Sequence, residues 1–206
     1  MADQFSYVHT KATELLASRM RDFERLSAVL LDIDDFHSKL PGDRDATDKT
    51  GLLDRLLEEL RVSLQAQPQD TCRHGRDSLL LVFPQKPVAE ICQRTYEALI
   101  NFRSQWVELQ GRDPVRLSFT AAAGEAPEHG ETATLLLRVL ENTLFQAKSE
   151  GKNRVALPQS RKMTLKSSYF PDAQLQRLAN LASRMGLPEA ELLRLALDEF
   201  LRKYEE

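Results

Sequence analysis

Leu144-Phe-Gln-Ala-Lys-Ser-Glu-Gly-Lys-Asn-Arg-Val155 holds the end of a helix, a glycine stop and the start of a strand. Apolar spacing predicts the helix over Thr134–Lys148, and Gly151 suits its C-cap because glycine alone enters a left-handed bend without cost. Asn153–Leu157 then reads as a closing strand. Upstream, Val115-Arg-Leu-Ser-Phe-Thr-Ala121 alternates as a strand does. Pro87 opens a helix predicted to reach about Gln110, with Val88, Ile91, Cys92, Tyr96, Leu99 and Trp106 on its inner face. His74-Gly-Arg-Asp77, between Thr71–Arg73 and Ser78–Phe83, is a hairpin signal with glycine at the bend. Leu52, Leu53, Leu56, Leu57, Leu60 and Leu64 mark an amphipathic helix after the polar, turn-rich segment 41–48. Leu26–Asp34 reads as a buried strand ending in acids, and residues 8–25 as a first helix.

Length and composition bound the rest. The chain's 206 residues suit one domain of about 150 residues plus a small extra unit. A 42% apolar content can build a core. Lys+Arg number 28 and Asp+Glu 31, a net charge of −3. That balance gives no long-range pull toward nucleic acid, so any DNA contact needs a local patch. Cys72 and Cys92 form no Cys-x-x-Cys pair, and the histidines lie apart at 9, 37, 74 and 129. Neither a zinc site nor a disulfide framework is expected. No apolar run approaches the roughly 20 residues that span a bilayer, and the N-terminus lacks the pattern of a signal peptide. The expectation is a soluble cytoplasmic protein with no membrane contact, no bound metal and no cofactor.

After a short linker at 158–162 the pattern changes to a brief strand-like piece and two helices joined at Gly186. The first helix has Leu175, Leu178, Leu181, Ala182 and Met185 as its apolar face. The second has Leu192, Leu193, Ala196, Leu197 and Phe200.

Four segments across residues 3–157 resemble, in order, the GGDEF (diguanylate-cyclase) family. Leu31-Asp-Ile-Asp-Asp-Phe36 resembles its first strand, Arg73-His-Gly-Arg-Asp-Ser-Leu79 its signature hairpin, and Leu117-Ser-Phe-Thr-Ala-Ala-Ala-Gly124 a later strand. Leu144–Val155 is similar to the family's Leu-Tyr-x-Ala-Lys-x-x-Gly-x-Asn-Arg-Val. The resemblance implies an α/β, palm-like domain with a mainly antiparallel central sheet and flanking helices. It also implies an ancestral chemistry that joins two GTP molecules into cyclic di-GMP with Mg²⁺ held by carboxylates. By the same resemblance Asp32 keeps a metal position, Asp77 the first acid of the hairpin motif, and Lys148 a phosphate-reaching lysine.

The departures are concentrated at the chemistry. Arg76 replaces the second hairpin glycine, Ser78 the next acid, and Leu79 the phenylalanine. Leu40 and Pro41 stand where the family contacts guanine with Asn and Asp, and a further guanine-contacting Asp falls near Lys49 or Thr50. Ala66-Gln-Pro-Gln69 replaces the Arg-x-x-Asp product-inhibition motif. The expectation is a vestigial nucleotide site, Asp32, Asp77, Arg76 and Lys148, with Arg76 as an internal cation where Mg²⁺ would sit.

Residues 162–204 resemble the ribbon-helix-helix repressors: a strand, a Pro-acid helix start, a Met-Gly turn, and a second helix ending Leu-Ala-Leu-Asp-Glu-Phe-Leu. A β-α-α module over 163–206 is too small to fold well alone. The family intertwines two chains, so that a two-stranded ribbon reads the DNA major groove and a helix N-terminus binds phosphate. The resemblance then implies a homodimer, with Lys162, Thr164, Lys166 and Ser168 toward DNA and Leu187 at the phosphate-binding helix start. Counting back from the helix gives the opposite face, Leu165, Ser167 and Tyr169. Pro188 removes an N–H donor at that start. Eight basic residues face seven acidic ones from Arg161 to Glu206, with Arg161, Lys162 and Lys166 clustered at the strand.

Together these imply a dimeric DNA-binding transcriptional regulator whose catalytically inactive GGDEF-like domain serves as sensor, scaffold or docking site for a protein partner. The rivals are an interaction protein whose C-terminal module only dimerises, and a residual nucleotide cyclase.

Overall fold

Leu26–Ile33 (β1) is buried at all eight positions, because it lies in the middle of a sheet covered on both faces. In the computed structural model, the described residues are 2–40, 46–109, 112–158, 167–185 and 189–204. The chain divides into two compact units, 1–160 and 161–206.

In the first unit, Ala2–Asp22 (α1) precedes β1, and Phe36–Lys39 (α2) and Ala46–Ser63 (α3) follow it. Thr71–Arg73 (β2) and Ser78–Pro84 (β3) form the hairpin, with Val88–Ser104 (α4) after it. Val107–Leu109 (β4), Arg112–Val115 (β5), Phe119–Ala126 (β6), Ala133–Ser149 (α5) and Val155–Ala156 (β7) complete the unit. The five-stranded sheet has the order β2-β3-β1-β6-β7. Its pairings are antiparallel except β6 with β7, which is parallel. The expected mixed, mainly antiparallel architecture is what forms.

Successive side chains of a strand face opposite ways, and β1 shows it. Val29, Leu31 and Ile33 join a core with Leu56 and Leu60 of α3 and Ile91 and Leu99 of α4. Leu26, Ala28 and Leu30 join a second core with Leu16 of α1 and Leu136 and Leu140 of α5. Truncating one such leucine to alanine costs about 2–5 kcal/mol. Buried Glu125 ties α4 to the sheet by accepting from the Val88 N–H at 2.8 Å and from Arg25 Nε at 2.5 Å.

Several boundaries differ from the sequence reading. α1 and α3 begin earlier than residues 8 and 52. α4 ends at Ser104 instead of reaching Gln110, because Gln105 turns extended. Its inner face is Ile91, Thr95, Ala98, Leu99 and Phe102, whereas Tyr96 and Trp106 are exposed. Trp106 instead lies under the Arg116 guanidinium at 4.3 Å, beside a β4–β5 hairpin that the sequence reading missed. The single strand expected over 115–121 is therefore two strands, β5 and β6. At the β2–β3 bend Gly75 takes φ 89°, and the His74 N–H donates to the Ser78 carbonyl at 3.0 Å.

The second unit contains Asp172–Met185 (α6) and Glu189–Tyr204 (α7). Ala182 and Leu192 are buried, but Leu175, Leu181, Leu193, Leu197 and Phe200 stay exposed. Two short helices cannot cover each other's apolar stripes within one chain. The expected ribbon over 163–166 and the joint at Gly186 lie outside the described residues. No helix among those described is long and apolar enough to cross a membrane.

Candidate functional site

β1 carries two buried carboxylates, Asp32 within its end and Asp34 just beyond it. Asp32 stands opposite Ser78 of β3 and Thr120 of β6. The Ser78 hydroxyl donates to Asp32 Oδ2 at 2.7 Å, and the Lys148 ammonium pairs with Oδ1. Burial pushes the Asp32 carboxyl above its ordinary value, with nearby Asp77 adding to the rise, while Lys148 and Ser78 act in the opposite direction.

Asp34 is the hub of a larger network. Its Oδ1 accepts from Thr120 Oγ1 at 2.7 Å, and its Oδ2 from Ser118 Oγ at 2.8 Å and from the Asn153 N–H at 3.0 Å. The Asn153 N–H is shared with Thr120 Oγ1 at 3.0 Å. These bonds hold an unusual turn after α5, in which Gly151, Lys152 and Asn153 have φ of 128°, 56° and 50°. Only Gly151 enters that region freely; the other two are strained unless their surroundings hold them there. Asp35, itself at φ 57°, receives Lys152 Nζ at 2.5 Å across the gap. The Lys152 ammonium holds the Asp35 carboxyl below its ordinary value.

The arrangement can be tested against the Mg²⁺ that the family resemblance implies. One oxygen of Asp32 is met by an ammonium and the other by a hydroxyl, and both oxygens of Asp34 are used by hydroxyl and backbone donors. Ser78 offers a hydroxyl and no charge. Among the described residues no cluster of three or more His, Cys, Asp or Glu could hold a metal ion. This donor set does not fit a divalent cation.

Of the four expected vestigial residues, the structure brings Asp32 and Lys148 together and places Asp77 close enough to act on Asp32. Arg76 corrects the expectation. It is exposed, and the cation on Asp32 is Lys148, whose aliphatic chain reaches in from the last turn of α5. Asp34, Ser118, Thr120, Asn153 and Lys152 were not singled out from sequence. The available signal was the two-residue spacing of Asp32 and Asp34, which puts both on one face of a strand. Among the expected DNA-facing residues, Ser168 is exposed and lies ahead of α6 without regular structure. Lys162, Thr164, Lys166 and Leu187 lie outside the described residues.

Comparison with known proteins supports both halves. The family model of the ribbon-helix-helix domain matches residues 166–205. No curated protein matches the chain in sequence. The GGDEF domain of DgcB from Caulobacter crescentus, solved with c-di-GMP, is similar at a TM-score of 0.63 and 17% identity, covering 71% of this chain and 88% of its own. The active GGEEF domain of a diguanylate cyclase from Vibrio cholerae gives 0.61 and 15%, covering 73% and 96%. The GGDEF domain of PA1120 from Pseudomonas aeruginosa gives 0.61 and 17%, covering 75% and 94%. At these identities the likeness is one of fold. The first unit has the fold of these GGDEF domains, and residues 166–205 match the ribbon-helix-helix domain.

Proposed function

We propose that this protein is a dimeric DNA-binding transcriptional regulator, and that its GGDEF-like domain is catalytically inactive and serves as sensor, scaffold or partner-binding unit in the cytoplasm. The observation that carries the reading is the ribbon-helix-helix match over 166–205, on helices whose apolar stripes stay exposed in a single chain. A second copy would cover those stripes and build the two-stranded ribbon that enters a major groove. Catalytic inactivity is supported by Lys148 and Ser78 occupying the Asp32 oxygens, by exposed Arg76 in the hairpin, and by Leu40 and Pro41 where guanine contacts are needed. A protein partner on this domain has a precedent in fold: a diguanylate cyclase SiaD is known in complex with its activator SiaC.

Selection of genomic fragments by the purified protein tests the DNA reading. An enriched site whose retention falls steeply with salt supports it. No retention at low salt leaves the dimerisation-only reading, which the near balance of eight basic and seven acidic residues over 161–206 favours. Incubation with GTP and Mg²⁺ or Mn²⁺ tests inactivity. The expected outcome is no cyclic di-GMP above a no-enzyme control. Product that disappears in Asp32→Ala would overturn it.

A further inference from the structure

On the first unit, an open cleft of about 520 Å³, lined by neither Asp32 nor Lys148, lies where α2, the carboxyl end of α4, the β5–β6 link and the turn after α5 meet. Three cationic side chains line it: Lys39 from α2, Arg103 from α4, and Arg116 from the β5–β6 link. Ile100, Ser104, Leu117, Ser118 and Asn153 complete the wall; no carboxylate lines it, and the buried Asp34 behind it is already engaged by Ser118, Thr120 and the Asn153 N–H. None of the three cations forms an ion pair among the described residues. Asp35, whose charge is felt by Lys39, is itself engaged by Lys152.

Like charges gathered in one concavity repel, and a one-signed cleft focuses its field on an incoming counter-ion. The carboxyl end of α4 works against this with its negative half-charge. Two of its carbonyls are nevertheless capped, by Ser104 Oγ at 2.7 Å and by the Gln105 N–H at 3.3 Å. The donors are also partly fixed in place. Arg116 rests on the Trp106 ring at 4.3 Å, and its carbonyl accepts from Lys39 Nζ at 3.4 Å. A guanidinium stacked on an indole loses less freedom when it closes on an anion. Two arginines supply forks that match phosphate oxygens in pairs, and Lys39 adds a point charge.

We propose that this cleft binds a phosphate-bearing small anion, a pyrophosphate group either free or as the diphosphate of a nucleotide. None of Asp32, Arg76, Asp77 and Lys148 lines it, and the proposal does not depend on DNA binding. The experiment titrates the full-length protein with inorganic pyrophosphate at low salt by calorimetry. Fluorescence of Trp106, the sole tryptophan, is followed in parallel. The expected result is saturable binding at one site per chain, weakened about tenfold or more by Arg103→Gln, the loss of one charge-assisted contact. Arg116→Gln should act similarly in calorimetry. Both arginines are exposed, so the variants should keep the parent's circular dichroism; Arg103→Gln alone carries the test if the other does not. A parallel titration with ADP separates the sources: tighter binding than pyrophosphate assigns a nucleotide, and equal binding assigns the free anion. Absence of heat and fluorescence change at millimolar pyrophosphate overturns the proposal. So does binding undiminished in Arg103→Gln, which would place the anion elsewhere.

Discussion

The Lys148 ammonium rests on the Asp32 carboxylate near the end of β1, so the charge of this buried acid is balanced from within the chain. Asp32 pays for its burial with a raised carboxyl pKa. Above its ordinary value of 3.8 the folded state therefore keeps this proton longer than the unfolded chain does. Its contribution to stability is then greatest at low pH and falls as pH rises through that window.

Lys148→Ala leaves the carboxylate buried with only the Ser78 hydroxyl. The expected loss is about 1–3 kcal/mol at pH 7, read from urea midpoints, and it should shrink toward acid pH as Asp32 takes a proton. Asp32→Asn should be neutral or stabilising at pH 7, since Lys148 is one-third exposed and can turn to water. Equal urea midpoints for Lys148→Ala and the parent at pH 7 would show that the pair contributes nothing.

Asp34→Ala removes the acceptor for two hydroxyls and one backbone N–H. Unsatisfied buried donors cost about 1–3 kcal/mol each, so a loss of about 3 kcal/mol or more is expected. The left-handed run Gly151–Asn153 should loosen with it, seen as faster hydrogen exchange at the Asn153 amide. Unchanged exchange there would mean that the turn holds itself.

Deleting residues 159–206 should convert a dimer to a monomer by light scattering, because the exposed stripes of α6 and α7 leave with the deletion. A truncated protein that remains dimeric places the contact in the first unit instead.

Lys166→Ala removes one cation from each strand of the proposed ribbon. If Lys166 contacts bases, each contact is worth about 1–3 kcal/mol and specific binding falls while dimerisation persists. If it contacts phosphate, specific and non-specific DNA weaken alike and the salt slope drops by about 2. Arg177→Ala, on exposed surface of α6, should matter less. Unaltered binding by Lys166→Ala across a salt titration is inconsistent with the proposed face.

The strand β1 was legible because an unbroken apolar run bounded by acids has few other uses, and α5 because its spacing, its terminal lysine and Gly151 agree. The region after Ser104 was not. Trp106 reads as core by hydropathy, but an indole can equally lie on the surface under a guanidinium, and only the position of Arg116 decides which. The cation on Asp32 was misassigned for a related reason. Arg76 is one residue from Asp77 in sequence, yet the bend at Gly75 leaves it outside, while Lys148 arrives from 116 residues further along the chain than Asp32. Asp34 was overlooked because nothing local shows that Ser118, Thr120 and Asn153 will converge on it.

The two outer strands of the sheet, β2 and β7, have three and two residues. Outer strands that short are one way a sheet blunts its edges against pairing with another chain. The proposed pairing of two copies then falls to the exposed apolar stripes of α6 and α7, and not to the sheet.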